Sequence, residues 1–118
     1  YPVHNLGIRD DTGTEEQMEE ALKKYVDKFD KIYAPMLQGG NTHHDMVHRI
    51  AIKLWGDKVI QYPTYTRTCL YTVGNKEIIP TPEELELKNK ALMCYASQFE
   101  VNRPHFEAIF GRPEWHYP

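Results

Sequence analysis

The chain is short of several things, and each shortage excludes a class of function. No apolar run approaches the roughly 20 residues of a membrane-spanning helix, and none stands at the N-terminus as a secretory signal would. Basic charge is not in excess: 14 Lys and Arg face 17 Asp and Glu, a formal net charge of −3, so no broad positive field is available for a phosphate backbone. The aromatic residues are spread along the chain without a stacking stripe for single-stranded nucleic acid. There are two cysteines, Cys69 and Cys94, far apart and without CxxC spacing. That pattern suits two buried thiols in a reducing compartment better than a disulfide framework, and with no signal segment it places the expected location in the cytoplasm. No serine sits in a nucleophile elbow and no glycine loop carries the P-loop lysine, which argues against acyl-enzyme and nucleotide-phosphate chemistry.

What remains is a 118-residue chain with 41% apolar and 26% charged residues, close to the average of a globular protein and within the span of one domain, residues 1–118. Thr14-Glu15-Glu16-Gln17 is a capping-box pattern, and Met18, Leu22, Tyr25, Val26 and Phe29 recur behind it at helical spacing. Acids lead and lysines follow, as the helix dipole favours, so a helix is expected from about Thr14 to Asp30. A short strand follows over Lys31–Ala34, ended by Pro35. Next come a glycine loop, Gln38-Gly39-Gly40-Asn41-Thr42, and a helix with a broad apolar stripe from Met46 to Trp55 that stops at Gly56. Lys58–Gln61 reads as another strand. Cys69–Val73 and Lys76–Ile79 flank Gly74-Asn75 and read as a hairpin. Thr81-Pro82-Glu83-Glu84 opens a further helix with Leu85, Leu92, Tyr95, Ala96 and Phe99 on its buried face, and Pro104–Phe110 forms a last short helix. The order helix, strand, helix, strand predicts an α/β layer with partly parallel strands, plus a hairpin and a helix towards the C-terminus.

The densest polar cluster is Asn41-Thr42-His43-His44-Asp45-Met46-Val47-His48-Arg49. It lies where a glycine loop leaves a strand and opens a helix, the usual address of a binding crevice in open α/β sheets. His44 and His48, four residues apart, share one face and are two candidate metal ligands, short of the three that a catalytic zinc needs. The competing reading is a polar loop and a solvated helix start, with Thr42 or Asp45 as the cap. Arg9 and Asp10, between Gly7 and Gly13, form the second candidate: an Arg–Asp pair can grip sugar hydroxyls through paired hydrogen bonds, or simply occupy a turn.

Taken in order, Leu6-Gly7-Ile8-Arg9-Asp10, the amphipathic helix, the strand ending near Ala34-Pro35, Gly39-Gly40 and the His-bearing helix start resemble the PIG-L (LmbE-like) de-N-acetylases. Tyr62-Pro63-Thr64-Tyr65 and the helix Lys88-Asn89-Lys90-Ala91-Leu92-Met93-Cys94-Tyr95-Ala96-Ser97-Gln98 are similar to later parts of that family, so the resemblance runs over roughly residues 5–100. It implies a partial Rossmann-like layer and a zinc-dependent amidase that removes an N-acetyl group from a GlcNAc-type sugar or glycoconjugate. His44 falls on the family's late zinc ligand and Asn41 on the first His of its His-x-x-His pattern. The electrophilic role of that His would pass to Asn41 or His43. Asp10 falls on the position associated with substrate hydroxyls, with Arg9 as companion. A second register places His43 on the first His and Met46 on the ligand, which abolishes the site.

The family's His-Pro-Asp-Asp motif occurs nowhere in the chain. Two metal ligands and the general base are therefore missing, and the chain reads like the C-terminal portion of such an enzyme. Those groups are expected from an N-terminal half, including one supplied as a separate chain. A catalytically inactive saccharide-binding module from the same fold is the alternative, and a small unrelated metal domain using His43, His44, His48 and Asp45 is the third.

Overall fold

A computed structural model describes residues 3–9, 12–64, 74–109 and 114–116. The chain divides into two compact units, Tyr1–Gln61 and Tyr62–Pro118. The class is mixed α/β with a small parallel sheet. Among the described residues no helix is long and apolar enough to cross a membrane.

In the first unit, α1 (Glu15–Lys23) begins at the expected capping box: the Thr14 hydroxyl accepts from the Gln17 N–H, and the Gln17 side chain accepts from the Thr14 N–H. The helix is shorter than its apolar spacing predicts. Past Lys24 the amides of Tyr25, Val26 and Lys28 donate three residues back rather than four, and the Val26 carbonyl accepts the Trp55 indole N–H at 3.2 Å. A carbonyl claimed by a tertiary donor and a β-branched residue both work against another α-turn. The strand β1 (Ile32–Pro35) leads through the glycine loop to α2 (Thr42–Trp55), and a single 3₁₀ turn (Gly56–Lys58) delivers β2 (Val59–Tyr62) beside β1. Gly56 ends α2 at φ +52°, a conformation that glycine adopts without steric cost. Both strands run one residue later than expected, and Pro35 belongs to the strand it was expected to end.

The core of this unit is small: Ala34, Ala51 and Val59 are buried, with Ile32 and Trp55 packed on them. Ile50 is 1% exposed. The two alanines let β1 and α2 approach closely. On the outer side α1 is tied to α2 by Arg49–Glu15 (2.6 Å) and Lys53–Glu19 (2.7 Å). The Arg49 hydrogen bond holds the Glu15 carboxyl below its ordinary range.

In the second unit, β3 (Lys76–Ile78) pairs antiparallel with β4 (Glu114–His116), Glu77 opposite Trp115. The expected hairpin partner, Cys69–Val73, lies outside the described residues, and β4 was not anticipated. A Cβ on Gly74 would meet the His116 backbone at 2.6 Å, so that approach requires glycine. The capping box at Thr81 and Glu84 starts α3 (Pro82–Met93) as expected. The helix does not continue to Phe99. At its end the Cys94 thiol donates to the Lys90 carbonyl at 3.4 Å, the acceptor its own amide would use in a continued helix, and that amide turns to Ala91 at 3.1 Å. The chain restarts as α4 (Ala96–Val101) and α5 (Arg103–Ile109). Phe99 packs against buried Phe106 with ring centroids 5.6 Å apart and the rings tilted by 58°, whereas Tyr95 and Ala96, expected on the buried face, are exposed. Cys94 is also exposed, which corrects the expectation of two buried thiols; Cys69 lies outside the described residues.

Candidate functional site

The site is built at the carboxyl end of β1. Buried Pro35 closes the strand, and three side chains of the following segment fix how α2 leaves it. Asn41 caps the helix: its Oδ1 accepts from the His43 N–H at 3.0 Å and the His44 N–H at 3.3 Å. Asn41 is thus the cap that the sequence suggested for Thr42 or Asp45, and its side-chain oxygen is committed to orienting the two histidines. Asp45 does a different task. Its Oδ1 accepts from the Gln38 N–H at 3.1 Å and the Gly39 N–H at 3.2 Å, so the glycine loop is stapled back onto the first turn of α2. Gly39, at φ +70°, supplies the left-handed turn that aims those amides inward.

One turn on, His48 Nδ1 lies 3.0 Å from the Pro35 carbonyl oxygen. A carbonyl only accepts, so Nδ1 carries the proton and, in the neutral ring, Nε2 carries the lone pair. This contact ties α2 to β1 and fixes the ring that sits one turn after His44.

The other wall is the N-terminal arm. Asn5 Oδ1 accepts from the Gly7 N–H at 2.7 Å, and Gly7 at φ +71° turns the chain. The Gly13 N–H then donates to the Arg9 carbonyl at 2.7 Å, so close that a Cβ on Gly13 would lie 2.7 Å from that oxygen. The arm so folded closes a cavity of about 290 Å³ against α2. Arg9, His43 and His44 line it, with Ile8, Met18 and Met46 among its apolar walls. Three of the sequence candidates, two from the His cluster and one from a segment more than thirty residues earlier, therefore meet at one cavity. Asn41 holds that cavity's histidines without lining it, and Asp10 lies outside the described residues.

Among the described residues no three His, Cys, Asp or Glu side chains are grouped to hold a metal ion. His43, His44, His48 and Asp45 do not gather into a centre of their own, since the Asp45 carboxylate faces loop amides and His48 a backbone carbonyl. The sequence reading missed the apolar walls Ile8, Met18 and Met46, whose part depends on where the arm lies. It also missed the clamping role of Asp45, which becomes visible only when the loop is closed. Asn41 as cap was within reach, because an Asn immediately before a helical stripe is among the strongest of cap signals.

Comparison with protein-family models, with curated proteins and with solved structures gives no match to this chain. The functional reading therefore rests on the residues and their arrangement.

Proposed function

We propose that this chain contributes to a zinc-dependent amidase that removes an N-acetyl group from a GlcNAc-type sugar or glycoconjugate, on a Rossmann-like layer of which β1, α2 and β2 are one parallel unit. The supporting observation is the meeting of Arg9, His43 and His44 at one cavity against the first turns of α2, the helix that follows strand β1; open α/β sheets bind ligands near such strand-to-helix turns. In this reading Arg9 donates to sugar hydroxyls, and Asp10, outside the described residues, is its expected companion. His44 is a metal ligand, and His43 faces the amide oxygen as an electrophile. Ile8, Met18 and Met46 exclude water from the amide. The cavity, about 290 Å³, is at the small end of ligand pockets and suits one sugar ring.

The described residues alone do not make a zinc site: His44 is one donor where a catalytic site takes three. The further donors and the general base must come from outside them. Zinc held there would supply a Lewis acid for the amide carbonyl and a water of lowered pKa. The same lack of a three-donor group favours a second reading, a saccharide-binding module without catalysis.

Calorimetric titration of the complete protein, with the part that supplies those further donors present, with methyl N-acetylglucosaminide and with and without Zn²⁺, tests both. The proposal predicts sugar binding that weakens at least ten-fold in Arg9→Ala, and zinc binding that is weakened in His44→Ala. Sugar binding indifferent to zinc and to His44→Ala favours the non-catalytic module. No sugar binding at millimolar concentration, or binding unchanged in Arg9→Ala, contradicts both.

A further inference from the structure

A second cavity, of about 320 Å³, adjoins the first, and Leu6 and Val47 line both. Its character is different. No Lys, Arg, Asp or Glu is among its lining residues, and Tyr25, Phe29, Tyr33 and Trp55 supply an aromatic wall between α1, β1 and α2, with the Lys24 and Lys28 ammonium groups 5.1 and 5.3 Å from the Tyr25 ring centroid. Its rings are arranged rather than scattered. The His4 and Tyr25 centroids are 5.7 Å apart and those of Tyr25 and Phe29 6.4 Å, both pairs tilted. The one strong donor of the Trp55 ring is already taken by the Val26 carbonyl, so the indole offers the cavity hydrocarbon.

We propose that the two cavities bind one ligand, whose polar amide end lies at Arg9, His43 and His44 and whose apolar, ring-sized substituent passes Leu6 and Val47 into the aromatic cavity. The inference rests on the sugar-amide reading above and narrows its substrate class to molecules that carry such a substituent. A protein partner fits the observations less well: stable protein interfaces bury on the order of 800 Å² a side, whereas this cavity has the volume of a small-molecule subsite. Continuity with the polar cavity through two shared residues is what assigns it to the same ligand.

The test compares methyl and benzyl N-acetylglucosaminide by NMR titration of the full chain, following the His43 and His44 amides and the Trp55 indole N–H. The benzyl compound is expected to bind at least ten-fold more tightly, with shifts at all three. Phe29 and Tyr33 are 49% and 58% exposed, so Phe29→Ala and Tyr33→Ala spare the core. Together they are expected to bring the ratio close to one while leaving methyl glucosaminide binding unchanged. A methyl N-phenylacetylglucosaminide arm separates the two sources of the substituent, since only a ring on the correct side of the amide gains affinity. Equal affinities of all three compounds in the wild type, or a ratio that survives both substitutions, overturns the inference while the sugar site stands. If methyl glucosaminide leaves the histidine amides unmoved, the sugar reading itself fails. Benzyl-induced shifts confined to Trp55 would then overturn the single-ligand inference as well.

Discussion

Asn41 separates the structural account of the site from a chemical one most cleanly. Its Oδ1 accepts two amide protons, at 3.0 and 3.3 Å, and both belong to the histidines of the cavity. Asn41→Ala leaves those amides at an uncapped helix end, which costs about 1 kcal/mol within a range of about 0.5–2. At about 4–8 °C per kcal/mol for a domain of 60–100 residues, and less for a longer chain, the expected loss in melting temperature is a few degrees. Asn41→Asp keeps an oxygen in the same place and adds a charge that the N-terminal dipole favours, so it should retain most of the stability. Urea denaturation followed by circular dichroism, with hydrogen exchange at the His43 and His44 amides, reads both effects. The cap account requires faster exchange at those two amides in Asn41→Ala and near-native protection in Asn41→Asp. If Asn41→Asp is as destabilised as Asn41→Ala, or if neither changes exchange, the cap reasoning is refuted. If both variants keep stability and exchange yet lose ligand binding equally, the amide group itself acts on the ligand.

Other outcomes follow from the same geometry. Asp45→Ala removes a carboxylate that accepts two loop amides and should cost about 1.5–3 kcal/mol in chemical denaturation, with Asp45→Asn recovering part of it. Ile50→Ala empties a site that is 1% exposed and should cost about 2–5 kcal/mol in the same assay. The Glu15 carboxyl is held below its ordinary value of 4.5, chiefly by the hydrogen bond from Arg49. Its contribution is therefore present above that pH and is lost as the pH falls through and below it. Stability measured on acidification should fall less steeply in Arg49→Met than in the wild type, and the difference should shrink in high salt because the pair is exposed.

The starts of α1 and α3 were legible because their signals are local. Thr14 with Gln17 and Thr81 with Glu84 each complete a capping box within four residues. Their ends were not, because tertiary or side-chain contacts set them. The Val26 carbonyl is taken by Trp55, twenty-nine residues away, and at the end of α3 the Cys94 thiol donates to the Lys90 carbonyl while the Cys94 amide turns to Ala91. The strand β4 is three residues long and exists through its pairing with β3, so no periodicity announces it. In the site, the His cluster and Arg9 were each visible as isolated polar features. Their meeting was not, because it depends on how Gly7 and Gly13 fold the arm back, which no side-chain pattern encodes.

The central claim is that Arg9, His43 and His44 act on one ligand at one cavity. Its most direct measurement is the imidazole and guanidinium NMR spectrum of the complete protein, with the part that supplies the remaining metal donors present, titrated with methyl N-acetylglucosaminide and then Zn²⁺. The account predicts that the sugar shifts the Arg9 side chain and the His43 ring together with a single affinity, and that zinc then moves the His44 ring. Sugar-induced shifts that bypass these residues, or zinc-induced shifts that leave the His44 ring unmoved, would contradict it.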